Sequence, residues 1–567
     1  MMKGGFYKAT DFDAIVVGSG ISGGWAAKEL TEKGLKVLVL ERGKNLRHGI
    51  DYFSEHQPPW TKPFGGKPLR ELYAEEYPIQ SQNIIFDEMT RPYFLNDKQN
   101  PYQQQKAFNW TRSDIVGGKS LLWSRQVYRW SDLDFEANKK DGHGIDWPIR
   151  YADIKDWYNY VESFIGVSGE ALGLDHLPDG IFQKPMELNA VEKSIKASIE
   201  HNHPDRVLTI GRTAVQTEAK NGRGSCHYCG PCERGCSVGA YFSSLSSTLP
   251  AAEKTSNLTM RPESIVEALE VDPVSKKITA VKVIDAATGE RMRFSGRLVF
   301  LCASAMASNQ ILLNSRSETF PNGLANGSGS LGRYIMDHYG DAIFALMPGY
   351  DDRYYSGNRP NNFYIPRFKN LSGDTKESAF VRGYGFQGAS IQSTWSMMAG
   401  QVPGFGAYLK HALMRPGPWF TFMAGFGESL PRYENQVALH TNKRDRYGIP
   451  QLRFNVAFEE NEARIRKDMV VTGSEMLKQA GGVNINSVSI NNVPGDAIHE
   501  MGGIRMGHDP GSSVLNAYNQ AHEVANLFVT DGSCMTSASC VNPSLTFMAL
   551  TARAADYAVK QLTSGSI

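Results

Sequence analysis

A glycine-rich turn near the N-terminus constrains the fold of this chain more than any other feature. Glycines stand at positions 18, 20 and 23, between a strand-like run at 12–17 and a helical stretch at 22–33. A second strand-like run ends at Glu41, 18 residues after the last glycine. In such a βαβ unit the glycines permit a tight turn beside a pyrophosphate, and the terminal carboxylate accepts hydrogen bonds from a ribose diol. The unit therefore predicts a dinucleotide site. Its N-terminal position, with more sheet returning after residue 260, favours FAD over NAD.

The rest of the chain reads as α/β. Its 567 residues, 41% of them hydrophobic, are enough for a large core. Strand-like runs return between residues 265 and 302, whereas 341–490 interleaves glycine with aromatic residues and methionine. We expect a Rossmann-like FAD-binding domain from residues 1–340 plus 491–567, and a β-sheet-rich substrate-binding domain from 341–490.

Charge and hydropathy exclude some partners. The 60 Lys and Arg against 59 Asp and Glu give a formal net charge of +1, so no global field attracts nucleic acid. No apolar run is long enough for a direct membrane span, and residues 1–8 lack the apolar stretch of a signal peptide.

Four of the seven cysteines fall within eleven positions, in the loop 222–240. They follow the spacing C-x2-C-x2-C-x3-C, which lets thiolates converge on one iron–sulfur cluster: Cys226, Cys229, Cys232 and Cys236. Both [4Fe-4S] and [3Fe-4S] remain open, because the fourth cysteine need not bind the same cluster. The competing interpretation is a structural zinc knot, which normally uses two separated cysteine pairs.

Six motifs together resemble the glucose–methanol–choline (GMC) oxidoreductases. Besides the N-terminal turn they are the segments 116–120, 146–149, 331–338, 499–507 and 527–550. The match runs end to end and implies an architecture like that of p-hydroxybenzoate hydroxylase. Within the family, the cysteine run resembles the iron–sulfur-containing FAD sugar dehydrogenase large subunits, such as FAD glucose dehydrogenases and glucoside 3-dehydrogenases.

The resemblance implies roles for individual residues. His499 would be the base that takes the hydroxyl proton beside flavin N5, and Asn542 would hold the same oxygen. FAD would be bound by Gly18, Gly20, Ser22, Gly23, Glu41, Arg42, Gly117, Gly118, Ser120, Asp531, Gly532, Asn542, Pro543 and Thr546. Leu122 stands where pyranose-oxidising relatives have a flavin-linked His, so we predict non-covalent FAD. Ser304 stands where relatives often have Gly, a departure that bears on local backbone packing.

The resulting hypothesis is an FAD-dependent dehydrogenase that oxidises a secondary alcohol of a sugar or glycoside, with the glucoside C3 hydroxyl preferred. Electrons would pass through the iron–sulfur cluster to an external acceptor such as cytochrome c. A small subunit carrying an export signal would bring the enzyme to the periplasm, and a cytoplasmic location is the alternative. Two other functions remain open: an oxygen-using oxidase with a structural metal knot, and a non-catalytic flavin-binding electron-transfer subunit.

Aromatic residues in the presumed substrate domain are further candidates. Trp395, Trp419 and Phe420, with the nearby Gln387 and Gln392, could stack on sugar faces and bind hydroxyls. Ordinary packing in a β-rich core explains the same pattern equally well.

Overall fold

A computed structural model describes residues 12–52, 55, 57, 61, 70–230, 232–350, 359–399, 402–415 and 417–567. Residues 1–8, in which the sequence predicts no signal peptide, lie outside these ranges. Among the described residues no helix combines the length and apolar character needed to cross a bilayer.

The helices are α1 (Ile21–Glu32), α2 (Arg70–Glu76), α3 (Asp132–Phe135), α4 (Ala137–Asp141), α5 (Tyr151–Ile165), α6 (Ala190–Asn202), α7 (Thr248–Glu253), α8 (Ala305–Asn314), α9 (Trp395–Met398), α10 (Gly406–Leu413), α11 (Glu460–Gln479) and α12 (Ser544–Thr563). The strands are β1 (Phe12–Val17), β2 (Val37–Leu40), β3 (Gln103–Gln104), β4 (Val167–Ser168), β5 (Phe182–Gln183), β6 (Thr209–Ile210), β7 (Leu258–Arg261), β8 (Ser264–Val271), β9 (Ile278–Asp285), β10 (Arg291–Phe294), β11 (Gly296–Leu301), β12 (Arg333–Met336), β13 (Gly340–Met347), β14 (Phe363–Ile365), β15 (Tyr384–Gln392), β16 (Trp419–Gly427), β17 (Gln436–Arg444), β18 (Pro450–Asn455), β19 (Val483–Ile490), β20 (Met501–Gly503) and β21 (Leu527–Val529).

A five-stranded parallel sheet carries the glycine turn. Its strand order is β21-β11-β1-β2-β7, and all four pairings are parallel. The strands β2 and β21 are buried along their whole length, as expected for a sheet covered on both faces. Helix α1 packs on α12, so the N-terminal and C-terminal segments of the chain are joined in one layer.

A six-stranded antiparallel sheet is built mainly from residues 340–490. Its order is β19-β13-β16-β15-β14-β6. Alternate residues of β16 are buried and half-buried, which is the pattern of a strand covered on one face only. Helix α11 provides that cover, because a side chain added at Gly425 would overlap the sulfur of Met469 on α11.

The remaining strands form a three-stranded sheet (β10-β9-β8), a second five-stranded sheet (β20-β12-β17-β18-β3) and a two-stranded ladder (β4-β5). The predicted α/β class, with a parallel nucleotide-binding sheet and a separate β-rich region, is confirmed. The six-stranded sheet takes five strands from residues 340–490, while β6 comes from residues 209–210. The domain bounds stay a prediction.

Candidate active site

The glycine turn has the backbone that a bound pyrophosphate requires. Gly18 adopts a φ of +94°, and a Cβ atom there would lie 2.5 Å from the carbonyl oxygen of Cys302. A Cβ atom at Gly23 would overlap the carbonyl oxygen of Gly18. At Gly20 the opposite holds, since no protein atom lies within 4 Å of a Cβ placed there. Gly20 also begins α1 without a side-chain cap, so the first amides of the helix face this open side.

The acidic residue at the end of β2 lies against the same turn. One carboxylate oxygen of Glu41 accepts hydrogen bonds from the Ser19 amide (2.9 Å) and the Ser19 hydroxyl (2.6 Å), and the other accepts from the Gly43 amide (2.7 Å). The next residue, Arg42, points its guanidinium at Asn100 and lies 3.8 Å from Asp114.

The segment 117–120 reaches the turn from another part of the chain. The Gly117 amide donates to the Ser19 hydroxyl (2.9 Å), and a Cβ at Gly118 would lie 3.3 Å from the Gly20 Cα. The Ser120 hydroxyl donates to the Gly117 carbonyl and accepts from the Ser244 amide (3.0 Å). The structure therefore brings together the predicted cofactor residues of both segments.

The C-terminal candidates close the same region. The Ser22 hydroxyl donates to the carbonyl of Thr530 (3.1 Å), the residue before Asp531. Asp531 is buried and accepts from the hydroxyls of Ser308 and Ser533. Gly532 packs under the carbonyl of Glu500, Pro543 stands at the N-cap position of α12, and the hydroxyl of Thr546 lies 2.8 Å from that of Tyr158.

His499 and Asn542, 43 residues apart, are in direct contact. Asn542 Nδ2 lies 3.2 Å from His499 Nε2. Gln387 on β15 donates from Nε2 to Asn542 Oδ1 (2.7 Å), which fixes the amide with its NH2 group toward His499. The predicted catalytic pair is therefore assembled, and Gln387 orients it.

A second histidine, His338, fixes the tautomer of His499. His338 Nε2 lies 3.0 Å from the carbonyl oxygen of Ser539, which can only accept, so this nitrogen carries the hydrogen. In the neutral ring Nδ1 of His338 is then an acceptor, and it lies 2.9 Å from His499 Nδ1. His499 consequently donates from Nδ1 and keeps a lone pair on Nε2. This assignment comes from the hydrogen-bond network.

The surroundings keep both rings neutral. Burial lowers the pKa of His338 to about 4. Burial holds the pKa of His499 well below its usual range, and the neighbouring His338 ring and Lys119 ammonium lower it further. At neutral pH the Nε2 lone pair of His499 is therefore free of a proton, which is the state a general base requires.

Asp337 holds the backbone of this region. Its two oxygens accept from the amides of Gly495 (2.7 Å) and His499 (3.0 Å). Burial and the Glu500 carboxylate raise the pKa of Asp337 to about 8. The segment 331–338 resembles a family motif, but no role was predicted for Asp337 or His338 within it. Their adjacent, ionisable side chains in that motif were the available signal.

The aromatic candidates separate onto the two faces of the six-stranded sheet. Phe420 lies on the face that carries Gln387, whereas Trp419 is buried on the opposite face. Trp395 is 63% exposed, beyond the end of β15. Neighbouring residues of a strand point to opposite faces, so only one of Trp419 and Phe420 could face the site.

The four cysteines of the loop line a single cavity, with Val215 and Tyr241 among its other walls. In the part of the chain that the structure describes, no three His, Cys, Asp or Glu side chains converge closely enough to hold one metal ion. Arg125 reaches the loop and pairs with Glu233 (3.1 Å). Arg125 is five residues from Ser120, so the glycine turn and the cysteine loop are joined by a short segment.

Comparison with known families identifies the class of protein. The N-terminal profile of GMC oxidoreductase matches residues 12–339, and the C-terminal profile matches residues 431–551. The chain belongs to the GMC oxidoreductase family. It is accordingly an FAD-type oxidoreductase of alcohol- and sugar-type CH–OH donors, and FAD binding is expected.

Individual relatives cover nearly the whole chain. A 2-methyl-1,2-propanediol dehydrogenase of Mycolicibacterium austroafricanum is 27% identical, over 97% of this chain and 95% of its own. The fructose dehydrogenase large subunit of Gluconobacter japonicus is 26% identical, over 98% of both chains. A solved structure of formate oxidase from Aspergillus oryzae superposes with a TM-score of 0.63 at 14% identity, covering 98% of this chain and 100% of that one. The last similarity concerns the fold alone.

Proposed function

We propose that this protein is an FAD-dependent dehydrogenase that oxidises a secondary alcohol of a sugar or glycoside, with the glucoside C3 hydroxyl as the preferred position. The observation that carries the proposal is the contact between the Nε2 lone pair of His499 and the amide of Asn542. The choice of C3 follows from the resemblance to glucoside 3-dehydrogenases. The similarity to a diol dehydrogenase and a fructose dehydrogenase subunit supports CH–OH donors in general.

The FAD site follows from the open side of Gly20 and the unpaired amides at the start of α1, which suit the pyrophosphate. In this proposal Glu41, at the end of β2, binds the ribose, and the segment 117–120, which contacts the turn, adjoins the cofactor. When bound, FAD supplies the acceptor for the hydride from the carbinol carbon. Leu122 offers no nucleophile, so the cofactor is held without a covalent bond.

The alcohol binds between His499 and Asn542. Its hydroxyl hydrogen points at His499 Nε2, and its oxygen accepts from Asn542 Nδ2, replacing the 3.2 Å contact between the two side chains. His499 takes the proton as the carbon loses its hydride, and His338 accepts the hydrogen bond of the resulting imidazolium. Gln387 prevents the Asn542 amide from turning, so the oxygen keeps one position.

The cysteine loop supports a redox role. The four thiols line one cavity, and their C-x2-C-x2-C-x3-C spacing is typical of the ligands of an iron–sulfur cluster of the [4Fe-4S] or [3Fe-4S] type. Bound there, a cluster would supply one-electron transfer to an external acceptor such as cytochrome c.

The distance between the two sites is compatible with that role. Ser120 at the cofactor turn and Arg125 at the cysteine loop are five residues apart, so their Cα atoms lie within about 18 Å. We extend the proposal to a small partner subunit with an export signal and to periplasmic placement. Support comes from the name of the fructose dehydrogenase relative, a large subunit.

The first test is an anaerobic spectrum of the purified protein, with iron and sulfide analysis. We expect flavin absorbance that bleaches when a glucoside is added, together with iron and sulfide. Flavin that no sugar, glycoside or simple alcohol bleaches would contradict the catalytic proposal. Turnover with oxygen in a protein that contains zinc or no metal would favour an oxidase.

A cysteine variant separates the two half-reactions. Cys232→Ser is expected to leave flavin reduction by the glucoside intact while slowing electron transfer to a dye or cytochrome c. Cys534→Ser, at a buried cysteine outside the loop, is the matched control and should retain iron and dye reduction. Equal loss of both half-reactions in Cys232→Ser would contradict the relay.

A further inference from the structure

The face of the six-stranded sheet that looks toward His499 forms an apolar surface. Three strands contribute directly paired residues in successive rows. The row nearest the catalytic pair is Gln387, Ala424 and Ala342, and the next is Ala389, Phe422 and Phe344. The outer row is Ile391, Phe420 and Leu346. We call the second and third rows the apolar wall.

Contacts of individual side chains show that these rows lie on the face of the sheet that looks toward His499. Gln387 in the first row hydrogen-bonds Asn542, and Phe426 on the same strand face lies with its ring centre 6.2 Å from that of His499. The rings of Phe344 and Phe422 are 6.4 Å apart. Because directly paired residues point to the same side of a sheet, the apolar wall continues from the catalytic pair.

The wall stays accessible to a small molecule. Phe422, Phe344 and Phe420 are all half-buried, and Ile391 is 39% exposed. The opposite face of the strand is fully buried under α11. An apolar patch of this kind, continuous with a catalytic pair, is the usual lining of a ligand site.

The composition of the rows selects the substrate. Among the nine paired positions only Gln387 is polar, and none is charged. The hydroxyls of a second sugar unit placed on these three strands would lose water without gaining hydrogen bonds from their side chains, which is unfavourable. The polar side chain in register with the wall is Asn486, which pairs with Phe344 from the edge strand β19. An alkyl or aryl group would instead replace water against phenyl and aliphatic side chains.

We propose that the preferred substrate is an alcohol or glycoside with an apolar alkyl or aryl body, its reacting hydroxyl at His499 and its body along the apolar wall. This inference rests on the proposed function. Four residues separate Gln387 from Ile391, so the wall extends about 13 Å from the first row, and three strands make it roughly 10 Å wide.

The test uses the FAD-loaded protein and a series of β-glucosides from methyl to octyl, each below its micelle concentration. Complete burial of a methylene corresponds to about fourfold in binding, so contact on one side corresponds to about twofold. We expect kcat/KM to rise about twofold per methylene and to level off once the chain passes Ile391. Equal kcat/KM for methyl and octyl glucoside would overturn the proposal.

Variants locate the effect. In Phe422→Ala the octyl-to-methyl ratio of kcat/KM should fall by about tenfold, as expected for losing one large contact side chain. Phe422→Leu should retain most of the ratio. Val274→Ala, at a 90% exposed position in the β8–β9 turn, is the control and should leave the ratio unchanged. A ratio that falls equally in Val274→Ala would also overturn the proposal.

Binding provides a readout without turnover. Calorimetry on FAD-loaded His499→Gln should show octyl glucoside binding with a negative heat-capacity change, weakened by adding Phe422→Ala. If octyl glucoside does not bind but methyl glucoside still reduces wild-type flavin, the apolar wall is not a substrate site, for example because a partner or a second copy covers it. That result refutes this inference and leaves the proposed function standing. Flavin that no member of the series reduces refutes the proposed function, and this proposal with it.

Discussion

Replacing His338 tests whether this residue sets the protonation of the catalytic base. In His338→Leu the Nδ1–H group of His499 loses its acceptor at 2.9 Å. The imidazolium that forms during proton abstraction then lacks a charge-assisted hydrogen bond, which contributes about 1.5 to 3 kcal/mol. That free energy corresponds to a decrease of about 10- to 150-fold in the rate constant for flavin reduction.

His338→Gln is the matched variant. A glutamine can accept from His499 with its side-chain oxygen and donate to the Ser539 carbonyl with its nitrogen, so it should restore most of the rate. Both variants also disturb a buried hydrogen bond to Ser539. A loss of folding or of FAD must therefore be separated from a loss of catalysis.

The assay is anaerobic stopped-flow reduction of the flavin by a saturating glucoside, with each rate constant referred to the FAD-bound fraction. Apparent Tm and FAD content report on folding. If His338→Leu reduces its flavin within about threefold of the wild-type rate, or if His338→Gln is as slow as His338→Leu, the tautomer assignment is wrong.

Four further predictions concern the pH dependence of activity, the pH dependence of stability, the glycine turn and a strained residue. Because the pKa of His499 lies below 6.5 and its neutral form is the base, kcat/KM should be constant at neutral pH and decline only as the pH falls through that lowered pKa, in a pH–rate profile. The folded protein keeps His338 neutral down to about pH 4, whereas the unfolded chain binds a proton at this residue below about pH 6.5. The free energy of unfolding should therefore be independent of His338 above pH 6.5 and decrease as the pH falls from 6.5 to about 4, as measured by urea unfolding at several pH values. Gly23→Ala should give protein without FAD or insoluble protein, because the added Cβ would overlap the carbonyl oxygen of Gly18. Gly20→Ala should fold, because its Cβ meets no protein atom, but should bind FAD more weakly. FAD retention after gel filtration measures both effects. Ser304→Gly should raise the apparent Tm, since Ser304 has φ +79° and ψ 154°, a region that costs a residue with a side chain about 1–3 kcal/mol; an unchanged or lower Tm would show that the position is not strained.

The departure at Ser304 shows how sequence and structure complement each other. The resemblance to the GMC family marked the position as unusual, because members of that family often have glycine there. The structure supplies the reason, a positive φ immediately before α8, which favours glycine. No local pattern in a single sequence reports this dihedral angle, since it depends on how the strand β11 and α8 are joined.

Local features of the sequence were sufficient to predict the first strand and helix of the parallel sheet. The predicted strand at 12–17 and the helix at 22–33 correspond to β1 and α1, which begins one residue earlier. The glycine spacing and Glu41 work within one βαβ unit, where residues close in sequence are close in space. The cysteine spacing is local in the same way, and the thiols do line one cavity.

Only the tertiary structure decided the chemistry around His499. His338 is 161 residues away and Gln387 is 155 residues from Asn542, so no periodicity connects these side chains. The same holds for the choice between Trp419 and Phe420, which depends on the face that α11 covers. The sequence by itself predicted the nucleotide fold, the cysteine loop and the candidate base. Long-range packing determined which nitrogen of His499 keeps its lone pair and which side chains surround it, because contacts between distant segments arise only when the sheets assemble.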